Sequence, residues 1–188
     1  MRERGQGRLR IIAGQWRSRK LTFPDRDDLR PTPDRIRETL FNWLQTDVPG
    51  SRCLDLFAGS GALGFEAASR GASEVVMVEQ SREAASALAR NAGLLDAAKV
   101  ELVVADAVVW LMNNQRVFDI VFLDPPFTND LLGECCEMLE RGNNLAEDAK
   151  IYIEHAVSDN EFVIPDNWQC IKSKSAGQVA YKLFRRAR

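Results

Sequence analysis

After Gly50 the chain alternates short apolar runs with stretches of helical period. The runs fall at 53–57, 75–78, 100–104, 118–123 and 151–153. Each is apolar at successive positions, the pattern of a strand covered on both faces in a parallel sheet. Between them, 62–70, 82–94, 106–114 and 129–141 carry apolar residues at helical spacing. Strands alternating with helices predict an open α/β sheet with helices on both sides. The last stretch breaks this rhythm. Residues 170–173 and 178–184 predict two strands joined by a tight turn near Ala176-Gly177, closing the sheet with an antiparallel hairpin.

The first fifty residues follow another pattern. Residues 9–23 predict two short strands around a turn at Gly14, and 24–32 form a connector rich in Pro and Asp. A helix should follow, with Thr32 as its cap, Pro33 in the first turn and Asp34 at the positive helix end. Ile36, Leu40, Trp43 and Leu44 fall at helical spacing, and Pro49-Gly50 should end the element. The expected organisation is a small N-terminal extension with its connector, 1–32, followed by one α/β domain, 33–188.

Charge changes the picture more than overall composition does. The net charge is +6 over residues 1–37, −14 over 38–171 and +6 over 172–188. Two basic ends flanking an acidic body suit a partner with a phosphate backbone, although basic ends can also be merely solvated. No apolar run approaches the roughly 18 residues of a membrane helix, and the charged start has no apolar stretch behind it. The expectation is a cytoplasmic protein. Cys53, Cys135, Cys136 and Cys170 show no C-x-x-C spacing, and His155 is the single histidine. Reduced thiols and no metal site are expected.

The chemistry-bearing residues cluster at predicted strand ends, where open α/β sheets bind ligands. Gly59-x-Gly61-x-x-Gly64 follows the first strand and opens a helix, the setting of a loop that brings backbone close to an adenosine-bearing ligand. Glu79, twenty residues after Gly59, suits ribose hydroxyls. Asp106 could accept from an adenine amino group, cap the following helix, or do both. Asp55, four residues before Gly59, would repel a dinucleotide pyrophosphate but attract the ammonium of S-adenosylmethionine. It could instead hold the glycine loop through backbone N–H groups.

The 118–123 run ends in Asp124-Pro125-Pro126-Phe127. Two prolines remove two N–H donors and stiffen the chain. An exocyclic NH2 could then donate one hydrogen to Asp124 and the other to the Pro125 carbonyl, with Phe127 stacked on the base. Positive charge developing on that nitrogen would be stabilised by the carboxylate. With a sulfonium as methyl donor, catalysis is mainly positioning, so the lack of a nucleophile–base pair is expected. The motif would hold guanine or adenine equally.

The residues 10–21 (Arg10-Ile11-Ile12-Ala13-Gly14-Gln15-Trp16-Arg17-Ser18-Arg19-Lys20-Leu21) and 29–44 (Leu29-Arg30-Pro31-Thr32 to Asn42-Trp43-Leu44), with 54–64, 124–127 and Ile151-Tyr152-Ile153-Glu154, resemble the bacterial 16S rRNA guanine-N2 methyltransferase family of the RsmD type. The resemblance covers nearly the whole chain, and its N-terminal block is the most family-specific part. It implies a Rossmann-like class I methyltransferase fold with a seven-stranded, mostly parallel sheet. It implies use of S-adenosylmethionine, release of S-adenosylhomocysteine, and a guanine of 16S rRNA in the small subunit, or in an assembly intermediate, as target. The resemblance implies cofactor roles for Gly59, Gly61, Glu79 and Asp106, with Thr32 as a weaker member; Asp55, Phe57, Ser60 and Ala107 join them as cofactor-binding candidates. Asp124, Pro125, Pro126 and Phe127 take the catalytic role. Arg8, Arg10, Arg17, Arg19 and Lys20 would grip RNA backbone; Trp16 fits either RNA contact or the hairpin core, the core being favoured. His155 fits a structural role. A monomer is the default. The competing readings are an adenine-N6 or other amino-methyltransferase, an NAD(P) oxidoreductase suggested by the glycine fingerprint, and a non-catalytic RNA-binding assembly factor.

Overall fold

The computed structural model describes residues 5–26, 29–126, 131–158 and 162–187. Two strands open the chain, β1 (Gln6–Arg10) and β2 (Lys20–Pro24), paired antiparallel as a sheet of their own. The expected turn at Gly14 is there, with Arg17 N–H donating to Gly14 O at 3.2 Å, but it lies within a wider connection than a two-residue hairpin. Residues 11–19 form a longer excursion whose ends are tied by Ile11 N–H donating to Arg19 O at 3.0 Å and Ser18 N–H to Ile11 O at 2.9 Å. Gly14 (φ +82°) is pressed against helix α2 (Ala62–Ser69), where a Cβ would stand 1.9 Å from the Ser69 carbonyl oxygen. The positive φ at the turn and the close approach to Ser69 both favour glycine here.

Helix α1 (Asp34–Trp43) follows. Its N-cap position is Pro33 and carries no side-chain cap bond, so Thr32 is not the cap. The helix also stops before Pro49-Gly50, because Asp47 and Val48 N–H groups turn back onto Leu44 O. Ile36, Leu40 and Phe41 face inward.

The remaining strands form one seven-stranded sheet. In chain order these are β3 (Arg52–Asp55), β4 (Glu74–Glu79), β5 (Val100–Val104), β6 (Phe118–Leu123), β7 (Leu145–Ala156), β8 (Trp168–Ala176) and β9 (Val179–Arg186). Their spatial order is β5-β4-β3-β6-β7-β9-β8. Strands β5 to β7 are mutually parallel, and β9 inserts antiparallel between β7 and β8. Helices α3 (Arg82–Leu95), α4 (Ala107–Asn113) and α5 (Leu131–Arg141) complete the layers. The predicted alternation is thus borne out within a residue or two for most elements. Strand β7 is much longer than expected. Its register on β6 jumps between Phe118 and Ile120, and Asp148 takes φ +60° in the irregular part.

Two apolar clusters sandwich the sheet. One joins β3 and β4 residues to α1 and α2, and includes Leu9, Ile11, Trp16, Leu21 and Phe23 from the N-terminal hairpin. The hairpin thus shares the core of the α/β unit, and Trp16 belongs to that core. The other packs α4 and α5 on the opposite face. All four cysteines are free thiols, three of them buried. Strand order reverses between β3 and β6, and the crevice beyond their carboxyl ends holds the site.

Candidate active site

A cleft of about 1200 Å³ lies at the carboxyl ends of the parallel strands. Strand β3 supplies Asp55 and then the loop Leu56–Ser60, β4 ends in Glu79, β5 leads to Asp106, and β6 leads to Asp124 and its prolines. The connector closes the remaining side with Leu29, Arg30, Pro31 and Thr32, and β7 contributes Glu154. Residues from five strands and from the N-terminal connector therefore converge, and Thr32 meets Asp124 across 92 positions of sequence.

Each predicted residue can be placed. Asp55 is buried at 2% exposure, and its Oδ2 accepts from Gly64 N–H at 2.9 Å. It therefore braces the start of α2, and Phe57 N–H assists. Burial pushes its carboxyl up to about 7, against the pull of the Gly64 N–H. Glu79 binds backbone with both oxygens, accepting from Gly59 N–H at 2.8 Å and Ser81 N–H at 2.7 Å. Glu79 also lines the cleft. Asp106 is the cap of α4, accepting from Val109 N–H at 3.0 Å, and lines the cleft as well. Phe57, Gly59, Ser60 and Ala107 are also on the wall. Gly61 is set apart from the lining. It is the N-cap of α2 at φ +81°, and a Cβ there would meet the Phe65 ring at 2.6 Å and Leu88 at 2.7 Å.

The floor is acidic and short of cations. Thr32 Oγ1 donates to Asp124 Oδ2 at 3.4 Å. Tyr152 Oη donates to Glu154 Oε1 at 2.8 Å, and Glu154 is 3% exposed. Burial pushes the Asp124 carboxyl up to about 6, with Thr32 opposing the shift. Burial, reinforced by the Asp124 charge, pushes Glu154 up to about 8. Pro125 is buried and Pro126 exposed along the same wall. Phe127 lies outside the described residues.

Beside this floor sits a structural network. Arg37, 1% exposed, donates from Nε to Thr32 O at 3.2 Å and from Nη2 to Arg10 O at 2.9 Å. Its Nη1 reaches Glu66 Oε2 at 3.5 Å, and Glu66 also accepts from the N–H groups of Ile12 and Ala13. The connector, and with it Thr32, is thereby fixed against α2.

Of the predicted RNA-contact residues, Arg8, Arg17 and Lys20 are exposed. Arg10 and Arg19 are exposed too but engaged, Arg10 with Asp34 at 3.1 Å and Arg19 with Leu94 O at 2.7 Å. Sequence reasoning missed Arg26 on the cleft wall, placed Arg30 only within the turn that carries Thr32, and gave Glu154 no role. Arg26 reaches Ser81 and Glu83. The basic connector flanking Arg-Pro-Thr was the available signal for the arginines. Glu154 had only the end of an apolar run to mark it. His155 is buried, its Nδ1 beside the Ala156 carbonyl at 2.9 Å and its ring edge-on to Phe162.

Comparison with known proteins gives consistent results. The sequence profile of the family described as Conserved hypothetical protein 95 matches residues 9–185. Ribosomal RNA small subunit methyltransferase D of Escherichia coli (strain K12) is 46% identical over 182 residues, 97% of this chain and 92% of that protein. The protein of the same name from Haemophilus influenzae is 43% identical, over 95% of this chain and 94% of its own. The solved structure of yhhF from Escherichia coli superposes with a TM-score of 0.90 at 43% identity, over 97% of this chain and 99% of that one. An RNA methyltransferase from Salinibacter ruber, solved with S-adenosyl-L-homocysteine, has a TM-score of 0.65 at 15% identity, over 85% of this chain and 95% of that one, a likeness of fold.

Proposed function

The chain belongs to the Conserved hypothetical protein 95 family, to which Ribosomal RNA small subunit methyltransferase D belongs, and we propose that it methylates the exocyclic N2 amino group of one guanine in 16S rRNA, using S-adenosylmethionine. The observation that supports this reading is that Asp124, Pro125 and Pro126 line the same cleft as the loop that follows β3. Membership of an rRNA methyltransferase family speaks against the oxidoreductase reading. It gives no ground for a purely structural assembly factor.

The residues fit the cofactor class. The cleft is large enough for an adenosine bearing a methionine, and acidic and apolar residues both line it. Glu79 would take the ribose hydroxyls and Asp106 the adenine amino group, each while keeping its backbone bonds. Asp55 and Thr32 would lie toward the methionine end, with Phe57, Gly59, Ser60 and Ala107 as walls and Gly61 shaping the loop from behind. When bound, the cofactor supplies a methyl group on a positively charged sulfur. The acidic floor complements that charge.

On the protein side the work is positioning. Asp124 Oδ accepts one amino hydrogen and the Pro125 carbonyl the other, so the nitrogen lone pair is aimed into the cleft. Asp124 stabilises the positive charge that grows on nitrogen and is placed to receive the proton that nitrogen gives up. Arg8, Arg17 and Lys20, with Arg10 and Arg19 in their fixed positions, would grip phosphates of a folded rRNA that presents the base. We place the reaction in the cytoplasm, on the small subunit or an assembly intermediate, with the protein acting as a monomer.

The test uses small ribosomal subunits from cells lacking the gene and labelled S-adenosylmethionine. The expected product is a single labelled N2-methylguanosine. Label on adenine N6, or calorimetric binding of NADH with none of S-adenosylmethionine, contradicts the reading.

A further inference from the structure

We propose that the β8–β9 hairpin is a second grip on RNA backbone, in which Lys172, Lys174 and Arg185 bind phosphates on the flank of the cleft away from the N-terminal hairpin. The proposal rests on the reading of rRNA as the substrate.

Strand β8 is the outer edge of the sheet, beyond β9. Residues 169 to 175 are exposed one after another, so among the described residues nothing covers either face of this stretch. Trp168 anchors its base in the core. Apolar burial explains that anchor and gives no reason for the exposed length beyond it. At the other end the hairpin reaches the site, because Gly177, Gln178 and Val179 line the cleft.

Charge and register pick out the residues. No acid follows Asp166 in the sequence. Arg186 is held by Glu140 at 2.6 Å, and Lys182 stands over the Phe162 ring at 5.8 Å. Lys172 and Lys174 are exposed and form no ion pair among the described residues. Arg185 is exposed and donates to Gln169 Oε1 at 3.3 Å, a neutral acceptor that leaves its charge uncompensated. Lys172 lies opposite Leu183, Lys174 opposite Tyr181 and Gln169 opposite Arg185. Directly opposed residues share a face of the sheet. Leu183 and Tyr181 pack into the cluster that holds α1 and the N-terminal hairpin, so the three cations form a stripe on that side. Lys172 and Lys174 stand about 7 Å apart along the strand.

The other basic segment occupies the same side at the opposite end. Thr22 N–H donates to Asn91 Oδ1 and Arg19 to Leu94 O, which seats the N-terminal hairpin on α3, and α3 lies against β4 and β5. Strands β5 and β8 are the two edges of the sheet, with the cleft at β3 and β6 between them. A basic patch thus stands on each flank, and residues 38–171, at −14, lie between. A polyanion crossing the cleft is held at the flanks and repelled from the acidic body, which leaves the presented base as the part that enters. The stripe holds no aromatic or aliphatic anchor of the kind that centres a protein interface, so it suits phosphates. Lysines on an edge strand also discourage edge-to-edge pairing. Arg185 is on β9, inside the edge, where that need does not arise.

The triple variant Lys172→Gln, Lys174→Gln, Arg185→Gln of the full chain, assayed on unmodified small ribosomal subunits, tests the grip. The expected result is a KM for subunits raised on the order of tenfold or more with kcat unchanged, and a salt slope of binding reduced by about 2–3. Affinity for S-adenosylmethionine, measured by calorimetry, should equal that of the wild type. A KM and a salt slope both equal to those of the wild type overturn the proposal. Cys170 is the one exposed thiol and lies on β8 itself. The wild-type chain carrying a photoreactive probe on Cys170 should cross-link to 16S rRNA within the subunit. Cross-links to ribosomal protein alone, or none, overturn the proposal. A triple variant that no longer binds S-adenosylmethionine leaves the decision to this cross-link. Absence of methyl transfer by the wild type marks failure of the substrate reading instead, and the cross-link again decides the grip.

Discussion

Glu66 and Glu154 are both glutamates withdrawn from solvent, at 0% and 3% exposure, yet their surroundings are opposite. Glu66, on α2, meets Arg37, Arg70 at 2.7 Å and two backbone N–H groups. Its charge is balanced on every side, and the result is mechanical: the N-terminal segment is pinned to the α/β unit. Glu154 meets a phenol, a hydroxyl and another carboxylate. Among the described residues no cation balances its charge, and burial raises its carboxyl. A buried acid with complete partners builds structure. A buried acid without them holds chemistry in readiness.

The largest effect should come from breaking the balanced site. Arg37→Met leaves Glu66 short of a cation and frees the Thr32 and Arg10 carbonyls; chemical denaturation should show a loss of about 3–5 kcal/mol. A loss well below 1 kcal/mol would mean that Arg70 alone suffices and that the contrast is weaker than drawn.

The unbalanced site gives the opposite sign. Asp55, Asp124 and Glu154 have folded-state values above their unfolded ones, so the folded chain binds more protons than the unfolded chain between about pH 4 and 8. Stability should therefore fall as pH rises through that window. Glu154→Gln removes one of these groups and should be more stable than the wild type at pH 9, by roughly 1–3 kcal/mol in urea titrations. A wild-type stability independent of pH from 5 to 9 would count against the raised carboxyls.

Glu140 sharpens the comparison from the C-terminal side. Arg186 at 2.6 Å, with Trp168 and Asn167, holds it down to about 2. Its stabilising contribution is present above the ordinary glutamate value and is lost as pH falls toward 2. Glu140→Gln should flatten the acid limb of stability by about 1–2 kcal/mol, allowing for its partial exposure. The smallest effect concerns the basic surface. Each of Arg8→Ala and Arg17→Ala should reduce the salt slope of RNA binding by about 1, leaving stability unchanged.

Much of this was legible in the sequence. Apolar runs separated by helical periods announced the parallel sheet, and an apolar run ending in Asp124-Pro125-Pro126 announced the floor of the cleft. Glu79 and Asp106 were legible for the same reason, as acids at strand ends. What stayed hidden depended on contacts between distant segments. Thr32 before a proline looks like a cap, but tertiary packing turns it to Asp124. Glu66 sits in a helix where a charged residue ordinarily faces solvent, yet the N-terminal segment lies over it. Glu154 gains its meaning from the strand order β3-β6-β7, which brings together residues spaced far apart in sequence. Gly14 opens a turn, as the sequence suggests, but its close approach to Ser69 was not legible.

The central claim is that Asp124 holds the amino nitrogen in the reacting position. Single-turnover transfer of labelled methyl groups to unmodified small subunits, wild type against Asp124→Ala at saturating S-adenosylmethionine, tests it most directly. The account predicts a rate lowered by about 10²–10³-fold with cofactor binding retained, the size expected for removing one charge-stabilising acceptor. An undiminished rate in Asp124→Ala would contradict it.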